Sequence, residues 1–365
     1  MSTAVRAIIA AGSMLLATSG STSNTAALSV DLPSGAAGTS AASLSLMTYN
    51  VAGLPWPVAS GRPQALAQIA ARLAALRRVR RQPHIVVLQE AFTPAAAAIA
   101  QTAGYAHAAF GPDAALRSPI RPSHGDRRYL QDARWDRGEQ WGKQLGSGLI
   151  ILSDYPIARV DRMAFPDFAC AGFDCLANKG VVIAHLRVPG QAAPVAVVNT
   201  HLNARKAAGV PIARSQRAYA RQVALFAGFV AAHVAPDQAL LIGGDMNIGS
   251  DAARSRSFFA AFDARALRFV APALGGAQRA LDQTTISDPR VHRDLLRSSR
   301  RRKDWVFART PGGTAMAVTQ VQVPFGTERT GAPLSDHVGY VVDYAAPSPV
   351  ALAMNDRALP GGGMH

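Results

Sequence analysis

Apolar runs in this chain stop repeatedly on residues that can do chemistry. Asn50 closes LMTYN, Glu90 closes VVLQE, His201 and Asn203 close VVNTHLN, Asp245 and Asn247 close LLIGGDMN, and Asp336 and His337 stand just before the last apolar run. A polar side chain at the rim of a sheet costs little only where it meets water or another polar group. One by one these positions have bland explanations: Asn50 as a turn former, Glu90 as a surface charge, His201 as a hydrogen-bonded core histidine, Asp245 as the acceptor of an Asx turn. Together, carboxylates, amides and imidazoles leaving several strand ends predict one shared cleft. The chemistry that suits this set is metal-assisted attack of water on a phosphate ester. Glu90 and Asp336 offer the hard oxygen ligands that Mg2+ takes, with Mn2+ or Ca2+ as alternatives. His337, oriented by a buried Asp, suits the general base. Asn203, Asn247 and His201 can donate hydrogen bonds to the developing oxyanion.

Those strand ends need a frame. Short β-type runs alternate with amphipathic helices, and no repeat of solenoid or propeller length recurs. Strands are expected over 44–50, 84–89, 147–152, 180–187, 195–200, 239–243, 305–309 and 338–344. Helices are expected over 62–81, 94–103, 214–234 and 252–262. In the first helix Leu66, Ile69, Leu73 and Leu76 fall on one face with arginines opposite. This predicts two β-sheets packed face to face with helices outside, as one α/β domain over 44–344.

Composition sets the outer bounds. The chain has 365 residues, 49% of them hydrophobic and 17% charged, which excludes a disordered polar chain and allows a large core. A net charge of +15 attracts phosphodiesters and anionic lipid surfaces, although only four of the 38 basic residues are lysines, a bias that weakens charge as an argument about partners. Residues 1–29 read as an export signal: Arg6 precedes an apolar run over 7–17 that falls short of the ~20 residues a membrane span needs. A linker over 30–43 follows, and a secreted or periplasmic location is expected, with no transmembrane segment. Cys170 and Cys175 lack the companions of a zinc site, so an exported protein is expected to join them in a small loop. The tail over 345–365, rich in Pro, Gly and Ala, is expected to lack fixed structure.

The ordered set TYNVAGLP, VVLQEAF, GSGLIILSDYPI, NTHLNA, LLIGGDMN, KDWVF and LSDHVGY resembles the endonuclease/exonuclease/phosphatase superfamily, the deoxyribonuclease-like metal-dependent phosphoesterases. The resemblance implies a four-layer sandwich of two mainly antiparallel or mixed sheets flanked by helices, with the cleft at one edge of the paired sheets. It also implies roles. Asn50 and Glu90 match the metal-site pair, with Glu90 the direct ligand. His201 matches the histidine that hydrogen-bonds the scissile phosphate. Asp245 and Asn247 match the pair that orients the nucleophile and contacts phosphate. Asp336 and His337 match the SDH motif, and Asp304 matches the Asp that pairs with that histidine. His337 is favoured over Asp245 as the base.

For the substrate, CLANKGVVIAHL is similar to the segment preceding the phosphate-binding histidine of secreted bacterial sphingomyelinases C. A phospholipid headgroup is therefore favoured, with peripheral membrane contact and a monomeric enzyme expected. The segment over 318–333 departs from that pattern, since it holds only Phe325 where membrane-inserting relatives carry an exposed aromatic pair. The alternative is a secreted nuclease, motivated by Arg290, Arg293, Arg297, Arg300, Arg301, Arg302 and Lys303, a run that could follow a nucleic-acid backbone or form a solvated loop. An inositol-phosphate phosphatase and an inactive phosphate-binding module are the remaining readings.

Overall fold

Every residue of strand β2 (Ile85–Gln89) is buried, because layers cover both of its faces. Ile85 and Val87 enter a core shared with a second sheet, while Val86 and Leu88 enter another core beneath helix α1 (Arg62–Arg78). Such double burial explains why the strand reads as a continuous apolar run rather than an alternating one. The computed structural model describes residues 43–56 and 58–345. The expected export signal, most of the linker and the tail lie outside the described residues, although Ser43 opens β1 and Ala345 closes β11.

The first sheet has the order β10-β11-β1-β2-β4-β3. Its other strands are β1 (Ser43–Asn50), β3 (His107–Phe110), β4 (Ile150–Ser153), β10 (Val318–Phe325) and β11 (Gly339–Ala345). The second sheet runs β5-β6-β7-β8-β9, comprising Ile157–Ala164, Gly180–Leu186, Val195–His201, Leu240–Asp245 and Asp304–Arg309. Two pairs, β1 with β2 and β7 with β8, are parallel, and the rest are antiparallel, so both sheets are mixed. Leu46, Val87, Val182, Val197, Leu241 and Val306 fill the space between the sheets. Helices α5 (Ile212–His233) and α6 (Ala252–Asp263) cover the outer face of the second sheet through Tyr219, Phe226, Phe258 and Phe262. The result is the four-layer α/β sandwich expected from the sequence.

Two features hold the sheets close just below the strand ends. Gln89 donates to Asn199 at 2.9 Å, and Asn199 in turn donates to the carbonyls of Leu88 and Ile150, a fully buried amide chain that links the two sheets. At Gly243 an added Cβ would lie 2.7 Å from Val87 Cγ2, so only glycine permits this approach.

Several elements differ from expectation, each for a local reason. Helix α1 stops at Arg78 rather than 81, because Arg80 turns left-handed (φ 55) and the Arg80 and Arg81 amides cap the Arg77 and Leu76 carbonyls. The helix expected over 94–103 divides into α2 (Pro94–Ala97) and α3 (Ile99–Thr102). Edge strands β3, β5 and β10 escaped detection, as did helices α4 (His124–Gln131) and α7 (Gly276–Gln283). The basic run is not a loop: most of it is helix α8 (Pro289–Arg301), which buries Leu295 and pairs Arg297 with Asp294 and Arg301 with Asp336. Phe325 is fully buried and stacked on Tyr49 at 4.8 Å, so it offers nothing to a membrane.

Cys170 and Cys175 are joined. Tyr129 donates to the Cys170 carbonyl and Lys143 to the Cys175 carbonyl, so the loop is anchored from outside as well. The native protein should present no alkylatable thiol without reductant. Reduction should lower stability by about 2 kcal/mol, the chain-entropy value for so short a loop, read as a shift in the denaturant midpoint.

Candidate active site

The strand ends expected to converge do so. Asn50 and Gln89 are register partners across β1 and β2, and His201, Asp245 and Asp304 stand side by side at the ends of β7, β8 and β9. The loop before β11 brings in His337, whose position is set by Ser335: its hydroxyl donates to the Asn50 carbonyl and accepts from the His337 amide. Glu90 and Asn247, one and two residues past their strands, both have left-handed backbones (φ 54 and 47), a costly conformation for Glu that tight packing must enforce.

His337 Nδ1 lies 2.8 and 2.9 Å from the two Asp304 carboxylate oxygens, which fixes Nδ1 as the protonated nitrogen and leaves Nε2 facing Asp245 Oδ2 at 3.7 Å. Tyr340 donates to the Asp304 carbonyl and steadies the pair. The Asn50 amide donates to Glu90 Oε1 at 2.9 Å and to Asp245 Oδ2 at 3.2 Å, joining the two halves of the cleft. The Asn247 amide donates to the Leu202 carbonyl, and its backbone N–H donates to Asp245 Oδ1. Asp245, Asp304 and His337 thus bring ligand-type atoms within 4.8 Å of one another, with Asp304 hydrogen-bonded to His337 Nδ1 and Asp245 3.7 Å from Nε2.

Charge is distributed unevenly over this cluster. Burial pulls the His337 imidazolium down, yet the Asp304 and Asp245 carboxylates outweigh it and raise its pKa to about 9. Burial opposes ionisation of Asp245, but His337, His201, Lys303 and the Asn50 amide hold it well below the usual carboxylate range. His201 is pushed down to about 3 by burial and by Lys179, so it is neutral at physiological pH. Burial raises Glu90 despite its Asn50 hydrogen bond. Among the described residues no salt bridge reaches Glu90. A recessed carboxylate with one amide partner and no cation is the donor that a hard divalent ion fits, with the Asn50 amide positioning it.

The raised His337 pKa predicts a pH effect whose sign follows from linkage. Protonation favours the folded state, so the stabilisation is present below an unfolded pKa near 6.5 and is lost as pH rises through about 9. In chelator, chemical denaturation should show a loss on the order of 3 kcal/mol between those limits, at ~1.4 kcal/mol per pKa unit. Asp304→Asn should flatten that dependence.

Two expected site residues are engaged elsewhere. Asn203 is fully buried, with Oδ1 accepting from the Ala171 amide and Nδ2 donating to the Ala204 carbonyl, so it ties the disulfide segment to the cleft floor. Asp336, expected as a metal ligand, is exposed and ion-paired with Arg301 at 3.2 Å. It borders the cleft, 3.7 Å from His337 Nε2, but its charge is already met.

Two residues escaped the sequence reading. Lys179 is buried with Nζ 2.8 Å from Asp174, 3.2 Å from the Leu202 carbonyl and 3.3 Å from His201 Nε2, placing a cation against the neutral histidine. A lysine directly before the glycine that opens a strand was the available signal. Arg254, fully buried against the Tyr219 ring, donates to the carbonyls of Asn203 and Asn247 and so holds the cleft floor. Its position on an amphipathic helix gave no sign of this.

The same fold recurs in known proteins. No curated protein sequence matches the chain. Among solved structures it is similar to sphingomyelinase C from Streptomyces griseocarneus, with 22% identity, TM-score 0.53, and 82% of this chain and 99% of that chain covered. It is also similar to a Staphylococcus aureus beta toxin variant with bound magnesium ions (15% identity, TM-score 0.53, 83% and 99% covered). A third is D. rerio TDP2 complexed with a single-strand DNA product (14% identity, TM-score 0.50, 83% and 98% covered). At these identities the likeness speaks for the fold. The model of the Endonuclease/Exonuclease/phosphatase family matches residues 47–353, and the chain belongs to that family, whose members are generally phosphoester hydrolases.

Proposed function

We propose that the chain is an exported, divalent-metal-dependent phosphodiesterase that hydrolyses a choline phospholipid of the sphingomyelin type. The observation that carries hydrolysis is the Asp304–His337–Asp245 relay beside a Glu90 carboxylate that has no cation. The lipid reading is supported by Lys179, which the CLANKG segment sets against His201, within the stretch that resembles secreted sphingomyelinases.

Each residue then has a task. Asp304 holds the proton on His337 Nδ1, and His337 Nε2 takes the proton of the attacking water, which ionised Asp245 orients. The water oxygen bonds to phosphorus as the bond to the leaving oxygen breaks, and that oxygen departs as the alcohol with a proton taken from solvent. Asn247 and His201 face the phosphoryl oxygens as hydrogen-bonding groups, and Lys179, ion-paired with Asp174, holds His201 in place. Glu90, positioned by Asn50, would hold Mg2+, which would supply positive charge to offset that of the phosphoryl group.

A nuclease reading is favoured by one observation, the Arg301–Arg302–Lys303 stretch that leads directly into Asp304 at the cleft. The two substrates separate in one experiment: release of phosphocholine from neutral sphingomyelin vesicles and nicking of plasmid DNA, each with Mg2+ and each with chelator, over a range of salt. The lipid reading expects metal-dependent phosphocholine release with little salt dependence. DNA cleavage whose binding falls with a slope of roughly −0.9 per phosphate contact, without phosphocholine release, would favour the nuclease instead.

A further inference from the structure

We infer that the end of the sandwich carrying the cleft is a docking surface for a phospholipid bilayer, entered by Trp56, Val58, Leu116, Ile120 and Trp135. The inference rests on the phospholipid reading above and adds to it the surface through which substrate is reached. Its basis is where the exposed apolar side chains are. Among the described residues the large ones are Trp56 (74% exposed), Trp135 (56%), Val58 (49%), Val79 (47%), Phe110 (46%), Leu116, Ile120 and Ile212. All but Val79 lie at the strand ends that bear the site.

The topology explains this. Trp56 and Val58 follow β1, which ends on Asn50. Phe110 ends β3 opposite Ile150, at the same end of the first sheet. Leu116, Ile120 and Trp135 lie in the long excursion between β3 and β4, and Ile212 opens α5 after the loop that follows His201. Val79, at the far end of α1, is the exception.

These segments are tied to the cleft. The Asn178 amide donates to the carbonyls of Asp113 (2.6 Å) and Leu116 (2.8 Å), and the next residue is Lys179, against His201. Arg137, two residues after Trp135, lies over Phe173 in the disulfide loop. Gly53 packs under the Glu90 carbonyl three residues before Trp56.

Single exposed apolar residues are ordinary, but their concentration on one end is not. Two tryptophans with apolar bodies and polar N–H groups suit the headgroup layer of a bilayer. Basic side chains that lipid phosphates could pair with stand in the same segment. Arg117 and Arg127 donate to backbone carbonyls and Arg128 lies against His124, and among the described residues none of the three pairs with a carboxylate. A protein seated on this end would cover the cleft, whereas a bilayer that contains the substrate would feed it. Phe325 is buried, so docking does not fall to the segment over 318–333.

The test uses the full chain and phosphatidylcholine/phosphatidylserine vesicles in chelator, so that binding is read without turnover. Tryptophan emission should shift to the blue and be quenched by brominated lipid, and the protein should sediment with the vesicles. The combined variant Trp56→Ala, Leu116→Ser, Ile120→Ser, Trp135→Ala should partition ~10-fold less or worse, while hydrolysis of a soluble aryl phosphodiester with Mg2+ stays near wild type, which also reports folding. Trp135→Ala alone should give a smaller loss in the same direction. Wild type that neither sediments nor changes emission, or a variant that binds as well as wild type, would overturn the inference. Vesicle binding lost in the variant would uphold it even if no phosphocholine were released, an outcome that would instead remove the sphingomyelin reading.

Discussion

His337→Ala is expected to lower kcat by about 10²–10⁴-fold with little change in KM, the loss typical of a positioned general base. The case rests on the tautomer: both Asp304 oxygens sit within 2.9 Å of His337 Nδ1, so Nε2 is the nitrogen available to accept a proton, and it faces Asp245 across 3.7 Å. Asp304→Asn should therefore reduce kcat strongly with the fold intact, because an amide at this position favours the wrong tautomer. The pH profile should carry the same signature. His337 must be neutral to accept a proton and the carboxylates raise its pKa to about 9, so with Mg2+ present the rate should climb with pH above the unperturbed imidazole value and level off once His337 has lost its proton. A kcat for His337→Ala near wild type would remove the residue from the mechanism.

The second large effect is expected from the metal. Excess EDTA should abolish turnover, and Glu90→Ala should reduce it severely at low Mg2+, with partial recovery as Mg2+ is raised, since mass action offsets a weakened site. Glu90 is singled out because it is recessed, left-handed and without a salt bridge among the described residues, while Asp336 is exposed and neutralised by Arg301. Asp336→Ala should accordingly change the metal requirement far less than Glu90→Ala, which titration of activity against Mg2+ will show. Full turnover in excess EDTA, or equal effects of the two variants, would contradict this assignment.

The parts of the molecule legible in its sequence were those where one residue carries one signal. Runs such as HIVVLQ and LLIGGD are buried on both faces, so their apolarity marks strands directly, and the polar residue that ends each run marks the cleft. Edge strand β5 alternates inward with outward residues that include Arg159 and Arg162, and β10 carries Gln320 and Gln322, so neither resembles the central strands. Residue type also failed where direction decides the role. Asn203 and Asn247 are both amides following apolar strands, yet the backbone turns the Asn203 side chain toward Ala171 and the Asn247 side chain toward the Leu202 carbonyl. Asp336 adjoins His337 in sequence, but Arg301, 35 positions away, decides its charge. Lys179 and Arg254 act through tertiary contacts with carbonyls of the 202–204 stretch, which no local pattern encodes.

The most direct test of the account is phosphocholine release from sphingomyelin, followed in parallel for wild type with Mg2+, wild type with EDTA, and His337→Ala with Mg2+. The account predicts release in the first, none in the second, and a rate about 10²–10⁴-fold lower in the third. Undiminished release with EDTA, or no release from wild type with Mg2+, would contradict it.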